Sequence, residues 1–140
     1  MSYLLDTNAI SEWVKPRPDR GIVRWLDEVD EDRTYLSVIS LGELRKGVDR
    51  LSGGRRRDRL DLWLTGELPD RFGERMLPVD AAIADEWGRL LARGENAGTA
   101  IGRIDALVAA TAKVHGLQVV TRNVAHFRHA GVDVICPWQG

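Results

Sequence analysis

Short apolar runs that alternate with stretches of helical spacing limit this chain to few architectures. The runs are Tyr3-Leu4-Leu5, Thr34 to Ser37, Met76 to Val79, Gln118 to Thr121 and Val132 to Ile135. Each is too short for a helix and is continuous rather than alternating, which marks strands covered on both faces. Between them the apolar residues recur every three or four positions. Ile10, Trp13 and Val14 form one such set, opened by Thr7 and Asn8 as capping residues. Ile22, Trp25, Leu26 and Val29 form the next, followed by Leu41, Leu44, Val48 and Leu51, then by Leu60, Trp63 and Leu64. Ile83, Trp87, Leu90 and Leu91 mark a long helix ending near Gly94, and Ile104, Leu107, Val108, Thr111 and Val114 mark one stopped by Gly116. Strands alternating with helices on short connections predict an α/β fold, doubly wound, with a parallel central sheet of four to five strands. Pro78 places the Met76 run at a sheet edge, because proline cannot donate to a central ladder. Ser52-Gly53-Gly54 reads as a turn rather than a linker, so residues 1–140 are expected to form a single domain.

In such a sheet, ligands bind outside the carboxyl ends of the strands, where the strand order reverses. The residues at those ends are polar. Asp6 closes the first strand, and Thr121-Arg122-Asn123 closes the fourth. Glu43 lies early in the helix after the second strand, and Asp105 early in the helix before the fourth. Each has a plainer reading when taken singly. Asp6 is equally a turn or cap residue, Glu43 a solvated helix position, and Asp105 a charge set against a helix dipole. Jointly placed, the three carboxylates repel one another, and a fold that gathers them needs protons or a cation. Oxygen donors without a Cys or His cluster favour Mg²⁺ or Mn²⁺ over zinc.

The chain carries 20 Lys and Arg against 21 Asp and Glu, which argues against a uniformly basic nucleic-acid coat. The average conceals a run from Arg45 to Arg59 with seven basic residues and two acids, a phosphate-binding surface or simply a solvated face. Arg122, beside the polar strand end, is the stronger single candidate for a phosphate contact. One cysteine, Cys136, leaves no intramolecular disulfide, and no run is long enough for a secretory leader or a membrane span; a cytoplasmic protein is expected. Trp13, Trp25, Trp63 and Trp87 sit at apolar helical positions and read first as core, secondarily as the lining of a dimer face or partner groove. His126 and His129 lack a third zinc-type ligand, which leaves His126 as a candidate donor to phosphate beside the site.

Five motifs in order carry a resemblance across nearly the whole chain. They are Leu-Leu-Asp-Thr-Asn at 4–8, Ser-Leu-Gly-Glu-Leu around Glu43, Ile-Asp-Ala-Leu-Val-Ala-Ala-Thr-Ala around Asp105, Val-Thr-Arg-Asn at 120–123, and Pro137-Trp138. Together the chain resembles a PIN-domain ribonuclease toxin of the VapC family, in its FitB-like branch. The resemblance implies a PIN-like α/β/α sandwich and a Mg²⁺-dependent endoribonuclease (Mn²⁺ also suits the site) that cleaves RNA by metal-activated water. By position, Asp6, Glu43 and Asp105 would be the catalytic and metal-binding acids. Thr7, Asn8, Thr121, Arg122 and Asn123 would bind substrate or orient the acids. The implied partners are RNA, a VapB-like antitoxin and a second copy of the toxin, with operator DNA reached only through the antitoxin and no membrane. The chain departs from many relatives in having Asn123 and His126 where an acid often stands, which predicts a need for millimolar-range metal. Two other classes remain open: a weakened module that binds RNA or an antitoxin-like partner without cutting, and a phosphatase. The second is disfavoured because Asn8 stands where a second aspartate would be needed.

Overall fold

The computed structural model describes residues 1–139. The elements run β1 (Tyr3–Leu5), α1 (Thr7–Glu12), α2 (Arg20–Glu28), β2 (Thr34–Ser37), α3 (Val38–Asp49) and α4 (Arg55–Leu62). They continue with α5 (Leu68–Phe72), β3 (Met76–Leu77), α6 (Ala81–Ala97), α7 (Arg103–His115), β4 (Gln118–Val120) and β5 (Val134–Ile135). All strand pairings are parallel, and the order β3-β2-β1-β4-β5 puts β1 at the centre. The doubly wound, five-stranded parallel sheet expected from the alternating runs is therefore present, with β3 at an edge as Pro78 requires.

Alternate residues of each strand serve opposite layers. Leu5, Leu36 and Val120 face one core with Ile10, Ile22, Leu26, Leu44, Val48, Leu60, Leu64 and Phe72, supplied by α1 to α5 and their connections. Leu4, Leu77 and Val119 face the other, with Ile83, Leu90, Val108, Ala109 and Ala112 from α6 and α7. The alanine-rich face of α7 lets that helix lie close on β1 and β4, which fixes where its first turn emerges.

Four local expectations need correction. Thr7 and Asn8 do not cap α1; Asp6 does, in keeping with its reading as a turn or cap residue, through its extended backbone and a side chain that accepts the Thr7 N–H at 2.8 Å. The long helix α6 does not end near Gly94. It continues to Ala97 and closes on Gly98, whose φ of 70° is left-handed, while Gly94 is buried against the Thr99 carbonyl. The helix carrying Leu60, Trp63 and Leu64 is interrupted by a π-helical turn at Trp63–Glu67 before α5, which begins next to Pro69. The last strand is confined to Val134–Ile135, shorter than the Val132 to Ile135 run.

The carboxyl-terminal segment is fastened to the start of the chain. Buried Glu12 accepts from Lys15 Nζ at 3.0 Å, the Asp19 N–H at 3.0 Å and the Trp138 indole N–H at 3.1 Å. Asp19 in turn accepts from the N–H groups of Gly21, Ile22 and Gln139. A Cβ on Gly21 would stand 2.2 Å from the Pro137 carbonyl oxygen, so only glycine lets α2 meet this segment.

Gly21→Ala is expected to lower stability by about 1–3 kcal/mol through overpacking against rigid backbone. Gly88→Ala, with nothing within 4 Å of the added carbon, is expected to gain roughly 0.5–1 kcal/mol from helix propensity. Urea midpoints of the two variants, moving in opposite directions from that of the parent chain, are the check.

Candidate active site at the sheet's carboxyl edge

The strand order reverses at β1: the chain builds outward through β2 and β3, then returns to place β4 on the other side. The crevice at that reversal is bounded by the carboxyl ends of β1 and β4 and by the start of α1. Asp6 lies in it, 5% exposed, and its N–H extends the ladder to the Val120 carbonyl at 3.0 Å. Its carboxylate is held from several directions. Oδ1 accepts the Thr7 N–H, and Oδ2 accepts the Thr121 hydroxyl at 2.8 Å and the Asn8 amide at 3.4 Å. Thr121, fully buried, is itself fixed by the Asn8 amide at 3.3 Å and the Asn123 N–H at 3.1 Å. The Arg122 N–H donates to Asn8 Oδ1 at 3.2 Å. Thr7, Asn8, Thr121, Arg122 and Asn123 therefore form one hydrogen-bonded frame around a single carboxylate.

Glu43 enters from α3. It is exposed, as a solvated helix position would be, yet it is oriented: Thr7 Oγ1 donates to its Oε1 at 2.5 Å. Buried Ser40 stands 3.0 Å from the same Thr7 hydroxyl. Sequence reasoning missed Ser40, although its position three residues before Glu43 puts both on one helix face. Asp105 sits in the first turn of α7, its side chain 28% exposed, and meets His126 Nδ1 at 3.1 Å from its Oδ2.

The electrostatics show that these acids share a neighbourhood. Burial is the main cause pushing the Asp6 carboxyl above the usual carboxylate range, opposed by the Thr121 and Thr7 hydrogen bonds and reinforced by the charge of Asp105. Burial likewise raises Asp105, with His126 pulling down and the charge of Glu43 pushing up. Asp105 is thus coupled to both other acids. Among the described residues no three His, Cys, Asp or Glu side chains close into a ready-made ion cage. The acids are brought to one edge and feel one another without being drawn together.

The basic run is less open than its composition implied. Arg45 is tied to Asp61 at 2.7 Å and Asp49 at 3.0 Å, and Arg57 lies 3.9 Å from Asp49. Arg55, Arg56 and Arg59 instead line, with Asp58 and Glu67, a groove of about 820 Å³ whose apolar lining is Trp13, Leu60, Leu62 and Trp63. Among the described residues no helix is long and apolar enough to cross a membrane.

The chain is similar to known proteins over nearly its whole length. Residues 3–132 match the family model of the PIN domain. The chain is 39% identical over 136 residues to VapC ribonuclease Y4jK of Sinorhizobium fredii, covering 97% of each chain. It is 38% identical over 136 residues to Toxin FitB of Neisseria gonorrhoeae, covering 97% of this chain and 98% of that one. Among solved structures, FitAB bound to an IR36 DNA fragment contains a chain that superposes with a TM-score of 0.92 at 36% identity, over 99% of this chain and 96% of that one.

A carboxyl whose pKa is raised by folding binds its proton more tightly in the folded state. Stability then falls as pH rises from the unfolded value, about 3.9 for aspartate, through the folded one, and the loss is complete above it. In EDTA, the urea midpoint of the parent chain is expected to fall relative to that of Asp6→Asn as the pH rises above about 4. Profiles that run parallel throughout would remove burial as the dominant influence on Asp6.

Proposed function

We propose an activity that starts from membership: the chain belongs to the PIN-domain family and, within it, to the VapC-type ribonuclease toxins of toxin–antitoxin systems. The activity is metal-dependent endoribonucleolytic cleavage. The observation that carries it is the buried carboxylate of Asp6 at the strand reversal, coupled through Asp105 to Glu43. Repulsion among acids whose only ring-nitrogen neighbour is an imidazole is relieved by a divalent cation, and a set dominated by oxygen donors fits Mg²⁺ or Mn²⁺. Asp6, Glu43 and Asp105 would hold it. Such an ion, when bound, supplies positive charge to the phosphate oxygens and makes water more acidic.

The chain's own residues do the rest. Thr121 and the Thr7 N–H aim Asp6 and offset part of the cost of burying its charge. The Thr7 hydroxyl, backed by Ser40, steers Glu43 toward the crevice. Asn8 is engaged by Asp6, Thr121 and the Arg122 N–H, so it braces the frame rather than serving as a second acid. Arg122 and Asn123 lie on the exposed rim, where a phosphodiester would approach. Water adds to phosphorus as the bond to the 3′-oxygen breaks, leaving a 5′-phosphate and a 3′-hydroxyl.

The groove below the site supports a protein partner. Its apolar lining and its arginines match an amphipathic, acidic helix of a VapB-like antitoxin. A homodimeric toxin in the cytoplasm, with operator DNA contacted only through the antitoxin, completes the reading. The lone, exposed Cys136 is compatible with a reducing compartment.

The test is cleavage of end-labelled RNA by antitoxin-free protein. Activity is expected to require Mg²⁺ or Mn²⁺ at roughly millimolar concentration. Asp6→Asn and Asp105→Asn are each expected to lose about a hundredfold or more, the scale of one lost charged transition-state contact. RNA bound but left intact by the parent chain in every metal would favour a binding module instead.

A further inference from the structure

The 3.1 Å between His126 Nδ1 and Asp105 Oδ2 is compatible with a hydrogen bond. It is also the spacing of two neighbouring donors on one ion. Two atoms at right angles about a cation, each roughly 2.1 Å from it, stand roughly 3 Å apart. We propose that His126 is a nitrogen ligand of the acidic site and that it shifts the site's choice of ion from Mg²⁺ toward Mn²⁺ and related transition metals. This rests on the metal-binding reading above and deepens it.

Three further observations bear on the assignment. The backbone under His126 is firm while its ring is accessible. The 3₁₀ turn Val124–Phe127 is pinned by Phe127, which is 1% exposed, whereas the His126 side chain is 55% exposed. His126 reaches Asp105 from the turn after β4, so the pair joins two elements at the sheet's carboxyl edge. Asp105 and His126 also line a cavity of about 340 Å³ beside Thr99, Gly102 and His129, which leaves room for the water or phosphate oxygens that complete a coordination shell.

The chemistry gives the direction. Mg²⁺ demands a near-octahedral shell of oxygens and retains its waters, so an imidazole is a poor exchange for it. Manganese takes an imidazole at less cost than Mg²⁺, and affinity for such a ligand rises from manganese through the later divalent ions to copper. A neutral nitrogen also leaves the site one negative charge poorer than a carboxylate there would, which weakens Mg²⁺ more than the ions that gain a nitrogen bond.

Binding of MnCl₂ and MgCl₂ by calorimetry, with pulsed electron paramagnetic resonance of the Mn²⁺-loaded protein, tests this without any cleavage assay. The parent chain is expected to show ¹⁴N coupling to bound Mn²⁺, absent in His126→Ala. That variant is expected to lose about tenfold in Mn²⁺ affinity with little change toward Mg²⁺. His126→Asp is expected to reverse the preference, with Mg²⁺ gaining relative to Mn²⁺. Mn²⁺ that binds without nitrogen coupling, at an affinity ratio unchanged in both variants, would reduce the His126–Asp105 contact to a hydrogen bond and overturn the proposal. Asp6→Asn separates the two levels. If it abolishes Mn²⁺ binding while the parent shows no nitrogen coupling, only the His126 assignment fails. If Mn²⁺ binding is indifferent to Asp6→Asn, the acidic site is not where the ion sits and the underlying reading fails as well.

Discussion

Because β1 is paired on both sides, to β2 and to β4, the residue that follows it can leave the sheet only at the carboxyl edge. That residue is an aspartate, and the structure around it is organised by the need to keep a charge there. Its oxygens take a backbone N–H, a buried hydroxyl and an amide, drawn from α1 and from the end of β4. The same carboxylate caps α1, so the group that carries the chemistry also starts the helix that frames it. Burial still prevails over these bonds and leaves the proton more tightly held than on a free aspartate. A second acid, at the mouth of α7, adds to that tension, and α7 reaches this position because small alanines let it lie flat on the sheet.

Charge in this molecule is sorted rather than balanced. The whole chain totals −1, yet acids gather at one edge, while exposed arginines line the groove below. Part of the basic run is neutralised locally, since Arg45 is clamped between Asp49 and Asp61. What remains outward is a smaller positive surface than the sequence count gives, made of Lys46, Arg50, Arg55, Arg56 and Arg59.

The sheet and the identity of the acids were legible because both follow from local pattern. Continuous apolar runs mark buried parallel strands, and polar residues directly after them mark the edge where such sheets bind ligands. Other features depend on tertiary detail that no window of sequence contains. Thr7 and Asn8 have capping chemistry, but Asp6 is the residue whose backbone is extended at the helix start. Gly94 looks like a stop, but it is small because Thr99 folds back onto it, and the left-handed turn falls at Gly98. Glu43 reads as a solvated helix position and is one, yet it is oriented by a hydroxyl 36 positions away. Glu12 carries no motif signal at all, because its partners include an indole from the far end of the chain.

That long reach has a consequence for how the protein comes into being. Thr121 meets Asp6 across 115 positions, and Trp138 meets Glu12 across 126. A ribosome makes Asp6 and Glu43 well before β4 exists to stand beside β1. During that interval the central strand lacks a neighbour, and Asp6 lacks the hydroxyl that steadies it. Trp138, made later still, fastens α1 through Glu12, and Gln139 fastens the start of α2 through Asp19. The frame around Asp6 therefore cannot close until Thr121, 115 positions further on, has emerged to meet it.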